Sequence, residues 1–373
     1  MALFTPSASP AVTVKEIDLT GVVPNVQTST GAFVGNFGWG AVGVATLVSD
    51  ENGLVTTFSA PTDANTVDFH SAAYFLRYSN SLQVVREQDS DARNSIAKNS
   101  FSSAAVQAIN NLDAFENATI DSSDGAFLAK YPGKLGDSLQ VSICGVSDSD
   151  NGGTNNFNSW TYKSEFDAAP GTSKFASDLS CKNDELHVIV VDQDGDITGT
   201  AGTVLERFPF LSVAKNAKKG DGTSNYYKDV LKVSSSWIYA GGFHRNSDSD
   251  GANDFSGPQW GNDATLAGSQ DFKGDVTFGT GTNQWSFDGG VTSASLGTDD
   301  VLRGFDKFED KDNIEVDFLI APQSLTNTAA NTVVNDLVST AASVRKDCVV
   351  VASPSRTAVV TTGTTAAVTT CNN

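Results

Sequence analysis

Thr30-Gly31-Ala32-Phe33-Val34-Gly35-Asn36-Phe37-Gly38-Trp39-Gly40 is an apolar run that breaks into a glycine-rich turn. Ala32 to Val34 reads as a strand. Two helical patterns follow, a short one near Asp50 to Phe58 and a longer one from about Asn65 to Tyr78. In the second, Phe69, Ala72, Ala73 and Leu76 recur at three- and four-residue spacing and share one core face. Leu82 to Arg86 then returns as a strand, and a strand-helix-strand order calls for a parallel crossover. Residues 28–95 therefore read as the first part of an α/β domain.

Working outward, the texture changes at about residue 96. Up to about 295, Gly, Ser, Asn and Asp clusters separate short apolar strands at Ser138 to Cys144, Glu185 to Val191 and Thr198 to Arg207. Val188 to Val191 followed by Asp192-Gln193-Asp194-Gly195-Asp196-Ile197 carries a hairpin signal, a β-branched run closed by an aspartate-glycine turn. This stretch reads as an inserted antiparallel β domain. Over 296–355 the α/β texture resumes. Thr298 suits the N-cap of a helix through Val301, Leu302, Phe305 and Phe308, with Asp299 and Asp300 in its first turn. A strand from Ile314 to Ile320 follows, with Val316, Phe318 and Ile320 on one face. A helix from about Asn331 to Val344 buries Val334, Leu337, Val338 and Ala341, and a strand runs from Cys348 to Ala352. The fold class is mixed α/β (α+β): a βαβ-containing domain interrupted by an antiparallel β insertion and preceded by an extended arm. Residues 356–373 form a Thr-, Ala- and Val-rich low-complexity end.

Residues 1–27 do not resemble a core. Val12, Thr13, Val14, Lys15, Glu16 and Ile17 alternate like a half-buried strand between Pro10 and the Gly21 and Pro24 breakers, with no local hairpin partner. A lone strand satisfies its backbone on a foreign sheet edge, which makes these six residues the candidate inter-subunit arm and Gly21 to Thr30 its hinge. A frayed terminus, or a strand paired within its own domain, is the plain alternative.

The Thr30 to Gly40 run resembles the opening of contractile tail sheath proteins of myovirus-type bacteriophages. Leu82-Gln83-Val84-Val85-Arg86, Tyr131-Pro132-Gly133-Lys134-Leu135-Gly136-Asp137, Phe287-Asp288-Gly289-Gly290 and Asp347-Cys348-Val349-Val350-Val351-Ala352-Ser353-Pro354 look like successive landmarks of that family. None is specific alone, and their order carries the likeness. The resemblance implies a non-enzymatic structural subunit of the virion tail, assembled in the host cytoplasm. Its implied partners are other copies of itself in a helical homo-oligomer, the tail tube protein, and the baseplate and tail terminator proteins. Such a sheath contracts to drive genome delivery. Asn94 to Ser123 is too short for the additional outer domain of larger sheath proteins. Sheath proteins also normally continue past the Ala352-Ser353-Pro354 strand, so the resemblance implies a fragment or a truncated product, with the C-terminal region missing.

Composition narrows the chemistry. The 373 residues allow two domains, and 44 acidic against 24 basic residues give a net charge of −20, which disfavours direct nucleic-acid binding. The basic residues Lys215, Lys218 and Lys219 cluster only in a loop-like stretch. No secretory or membrane-spanning pattern is present, so no membrane partner is expected and the chain should stay in the cytosol where it is made. Cys144, Cys181, Cys348 and Cys371 are too irregularly spaced for a disulfide framework or zinc site, and Cys348 reads as a buried small hydrophobe. His187, inside a strand-like run, reads as a packed imidazole, with His70 and His244 equally plain. Asn246 to Gly251 imitates half a calcium loop, but Gly257 stands where a bidentate glutamate is required. The aspartates at 148, 150, 192, 194 and 196 read as turn residues. No carboxylate stands in an evidently apolar setting, and no Gly-x-Ser-x-Gly or Walker A pattern occurs. Catalytic, cofactor and metal sites are therefore all expected to be absent. The rival readings are a β-rich virion or surface binding module, such as an adhesin or receptor-binding protein, and a polysaccharide-degrading enzyme.

Overall fold

The computed structural model describes residues 29–97, 108–120, 124–146, 156–241, 260–266, 270–272, 283–293 and 295–354. The arm residues Val12, Thr13, Val14, Lys15, Glu16 and Ile17 lie outside them, as do most of the hinge and the Asn246 to Gly251 segment.

In chain order the elements are β1 (Gly31–Gly35), β2 (Ala45–Val48), α1 (Glu51–Phe58), α2 (Thr66–Leu76), β3 (Leu82–Arg86), β4 (Ile96–Ala97), α3 (Leu112–Asn117), β5 (Phe127–Ala129), β6 (Leu139–Gly145), α4 (Lys174–Asp178), β7 (Glu185–Asp192), β8 (Thr203–Ser212), α5 (Tyr227–Ser234), β9 (Ile238–Ala240), β10 (Asn283–Asp288), α6 (Thr298–Phe305), β11 (Phe318–Ile320), α7 (Asn327–Ser339) and β12 (Val349–Val351). They build a five-stranded sheet ordered β12-β11-β1-β3-β2 and a seven-stranded sheet ordered β8-β7-β6-β10-β4-β5-β9.

In the five-stranded sheet β1 lies parallel between β3 and β11, and β12 extends it in parallel beyond β11. Alternation along β1 splits its side chains between two cores. Phe33 meets α1 and α2 through Phe58, Phe69 and Leu54, whereas Ala32 and Val34 meet Val301, Phe305, Val333 and Leu337 of α6 and α7. A strand covered by helices on both faces has no polar side, which is why the run from Gly31 to Gly35 is apolar throughout. The seven-stranded sheet is antiparallel and has its own core, in which Val141, Ile143, Val188 and Val190 meet Leu231, Phe272 and Trp285.

Several expectations shift. β2 is an antiparallel edge strand beside β3 that the sequence pattern did not announce. The N-cap of α6 is Gly297 and not Thr298: Asp300 reaches back to accept from the Gly297 N–H at 2.9 Å. The expected strand from Ile314 is paired only over Phe318–Ile320. Val316 joins Leu319 in the α6–α7 core while Phe318 and Ile320 turn to the α2 side, so the expected common face is split. The last helix starts earlier, at Asn327, and ends in a π-turn over Thr340–Arg345. Val333 and Leu337 form its buried stripe, and Val338 is half exposed because the stripe falls one position earlier than the sequence suggested. Cys348 is only partly buried at the sheet edge.

The second strand of the expected hairpin begins at Thr203 and not at Thr198. Residues 193–202 form a wide loop in place of a two-residue turn, because Asp192 gathers it. Its carboxylate accepts from Ser138 Oγ (2.6 Å), Gly195 N–H (3.0 Å), Thr198 N–H (2.7 Å) and Thr198 Oγ1 (2.8 Å). Burial opposes ionisation of Asp192, but the sum of these donors outweighs it and holds the pKa below the usual carboxylate range. The stabilising effect of such a lowered group is present above the unfolded value of about 4 and is lost as pH falls through the lower folded value. Asp192→Asn should cost about 1–3 kcal/mol at neutral pH and flatten the loss of stability below about pH 4. Urea titrations of both proteins across pH 2–7 check this, and equal acid slopes would refute it.

Candidate functional site

Among the described residues no group of three or more His, Cys, Asp or Glu side chains is placed to hold a metal ion. His187 is fully buried, stacks on Phe166 at 4.4 Å, bonds Ala168 O through Nε2 (2.8 Å) and accepts the Phe210 N–H at Nδ1 (3.0 Å). Those two bonds fix a neutral ring protonated on Nε2, and burial pushes its pKa down. One expectation is overturned: Asp68 and Glu87 do stand in buried settings that raise their pKa values. Both act as ties. Asp68 accepts the Asn36 N–H at 2.9 Å, and Glu87 holds Arg303 of α6 at 2.8 Å.

What the structure does concentrate is a polar seam where the two sheets meet. At its centre is Arg86, the last residue of β3, fully removed from solvent. Its guanidinium donates to Phe37 O (2.8 Å), Gly40 O (2.6 Å) and Pro132 O (2.6 Å). The first two acceptors belong to the turn after β1, and the third to the segment after β5. All three are neutral carbonyls, so burial pushes the pKa of Arg86 down to about 9, and it remains charged at neutral pH.

The turn itself is a second tie. Phe37 packs in the core under α1 and α2, while Trp39, two residues on, packs in the core of the seven-stranded sheet. Trp39 meets Tyr131 edge-on at 5.4 Å and Trp237 at 5.0 Å.

The chain crosses between the sheets twice, and the crossings lie side by side. Arg93 and Val291 exchange backbone hydrogen bonds at 3.1 and 3.0 Å, next to the β4–β10 pair. Gln88, Asn36 and Ser293 add a buried polar network across the same place: Gln88 Nε2 donates to Asn36 Oδ1 at 3.0 Å and the Ser293 hydroxyl donates to Gln88 Oε1 at 3.0 Å. Asp137 collects Ser95 Oγ (2.7 Å) and the Gly290 N–H (2.8 Å), while burial raises its pKa. Gly290 must lack a side chain here, since a Cβ would lie 2.2 Å from Ser95 Oγ and 2.4 Å from Gly133 O. Gly133 adopts φ +140°, which glycine tolerates.

Four of the five landmark segments, around Phe37, Arg86, Pro132 and Gly290, therefore converge on one seam, and the fifth holds β12, the outermost strand of the five-stranded sheet among the described residues. The sequence marked these segments without showing that they meet, and Arg86 carried no assigned role. An arginine closing the apolar run Leu82-Gln83-Val84-Val85 was the available signal, because a charge there must find partners inside the fold.

No family model matches the chain. Among curated proteins it is 35% identical over 205 residues to the tail sheath protein of Salmonella phage ViI, covering 55% of this chain and 29% of that protein. It is 44% identical over 93 residues to the tail sheath protein of Enterobacteria phage T4, covering 25% of this chain and 13% of that protein. The tail sheath protein of Vibrio phage KVP40 is 40% identical over 78 residues, 21% of this chain and 12% of that one. The matched stretches thus span less than a third of each relative. Among solved structures, a sheath tail protein from Listeria innocua aligns over 84% of this chain and 45% of its own, with TM-score 0.41 and 10% identity. One from Desulfitobacterium hafniense aligns over 92% and 56%, with TM-score 0.38 and 8% identity. Those two scores are too low to bear on the fold, and the kinship rests on the sequence matches. The resemblance read from the sequence is borne out: over the stretches they share, this chain is a homologue of phage tail sheath proteins.

Proposed function

We propose that the chain acts as a non-enzymatic structural subunit of a phage contractile tail sheath, placed in the virion tail after assembly in the host cytoplasm. Copies polymerise as a helical homo-oligomer around the tail tube protein, in contact with baseplate and tail terminator proteins, and contract to drive genome delivery. The observation that carries this reading is the 35% identity to a phage tail sheath protein across 55% of the chain. The seam supports it physically. Contraction of this kind needs one rigid body that adopts two packings, with flexible links between neighbours. The ties at Arg86, Trp39 and the paired crossings support reading residues 28–95 and 296–355 as one domain that carries 96–295 as its insertion and moves with it as one body.

In the same proposal Val12, Thr13, Val14, Lys15, Glu16 and Ile17 are the linking strand, and Gly21 to Thr30 its hinge. Deleting residues 1–20 should abolish ordered polymers seen by electron microscopy, with and without the tube protein, while leaving the melting temperature of the subunit unchanged. Ordered polymers from the deleted protein would overturn the arm assignment. Undiminished binding to a cell-surface ligand in a chain that never polymerises would favour the adhesin reading.

A further inference from the structure

Alternation along β7 sends Leu186, Val188 and Val190 into the main core of the seven-stranded sheet and His187, Ile189 and Val191 to its other face. Residues 157–168 lie across that second face as a strap. Trp160 and Phe166 pack there with Ile189, Val191 and Cys144, and Trp160 Nε1 donates to Ser142 Oγ at 2.9 Å. His187 fastens the strap: its ring stacks on Phe166 with centroids 4.4 Å apart, and its Nε2 donates to Ala168 O at 2.8 Å.

The same imidazole fastens β8. Leu186 pairs with Leu211 and Val188 with Phe208, so the ladder slips at His187, which stands opposite Pro209 and Phe210 together. Phe210 sits at φ +51°, a conformation that a bulky residue keeps only where its surroundings hold it. Its N–H donates to His187 Nδ1 at 3.0 Å, and its carbonyl accepts from Asn225 Nδ2 at 2.9 Å. We propose that residues 157–168 are an acid-released strap: a proton arriving at His187 Nδ1 displaces the Phe210 N–H and frees the strap and the β8 bulge together, while the core on the opposite face of the sheet stays folded. Both ring nitrogens are taken by backbone groups, and the surrounding ionisable groups are engaged elsewhere. Glu185, on the same face of β7, accepts the Gly171 N–H at 3.0 Å. Glu165 of the strap pairs with Arg207 of β8 at 3.0 Å, and Tyr162 reaches Gln140 at 3.4 Å. Lys163 and Asp167 are exposed, and Cys144 lies opposite His187 on β6. Burial lowers the pKa of the closed ring, so the closed state is fully favoured above the unfolded value of about 6.5 and loses ground as pH falls below it.

Amide hydrogen exchange on the full-length chain, corrected for the intrinsic pH dependence of exchange, tests this. The Phe210 amide and the strap amides of Glu165 and Phe166 should lose protection together, by about tenfold for each pH unit between about 6.5 and the lower folded value, because one proton is taken up on opening. Amides of the β6–β7 ladder should keep theirs. His187→Asn leaves an acceptor at the Nδ1 position that takes no proton, and should make strap protection independent of pH over that range, whereas Glu165→Gln should leave the slope as it is. Protection that does not change with pH, a slope that survives His187→Asn or vanishes in Glu165→Gln, or simultaneous loss in the β6–β7 ladder would overturn the proposal. If the asparagine variant does not fold, the parent's imidazole resonances decide: titration of His187 must coincide with strap opening, and a ring that titrates at about 6.5 under a closed strap would refute it.

Discussion

Trp39→Ala should destabilise the protein by about 3–5 kcal/mol, the range for truncating a large buried aromatic, and should loosen the coupling between the two sheets. The indole is 3% exposed and sits in the seven-stranded core although its backbone belongs to the turn after β1. Removing it empties the place where Tyr131 and Trp237 close on the turn, so the loss falls on the joint more than on either core. Urea denaturation followed by far-UV and near-UV circular dichroism should change from one transition to two, because each sheet retains its own core. A single transition at an unchanged midpoint would rule out Trp39 as a tie.

Arg86→Met should cost about 3 kcal/mol or more. Methionine fills much of the same volume but leaves Gly40 O and Pro132 O without the donor that reaches them now, while Phe37 O keeps only the longer bond from Gln88 Nε2 at 3.3 Å. Each orphaned buried acceptor costs about 1–3 kcal/mol. Arg86→Lys should recover only part of the loss, since one ammonium cannot span acceptors that a planar fork bridges. Equal stability of the lysine variant and the parent, measured by the same denaturation, would show that charge alone suffices. Full stability of the methionine variant would remove the seam from the account.

Much of this architecture was legible in the residues. Phe69, Ala72, Ala73 and Leu76 announce α2 because a helix must show its core one stripe at a fixed period, and all four are buried as read. The parallel pairing of β1 with β3 follows from two apolar strands separated by helices. The misses have local causes. β2, whose Leu47 is 60% exposed, lies on the sheet edge and lacks the hydrophobic alternation that reveals half-buried strands. The wide loop after β7 contains the expected Asp-Gly pair at 194–195, but the buried carboxylate of Asp192 recruits donors as far as Thr198 and overrides the tight turn. The seam was invisible for a different reason. Phe37, Arg86, Pro132 and Gly290 are far apart along the chain, and their meeting is a tertiary fact that periodicity does not encode.

The adjacency of Arg93 and Val291 bears on where the molecule tolerates added sequence. The peptide leaves one sheet and comes back to it through neighbouring positions, so length added between those positions does not displace the helices around β1. The 193–202 loop, which links β7 to β8 within that added length, is then a natural port for a reporter peptide or cargo. A graft between Thr198 and Thr203 that spares the Asp192 clasp would ride on the subunit without bending its frame.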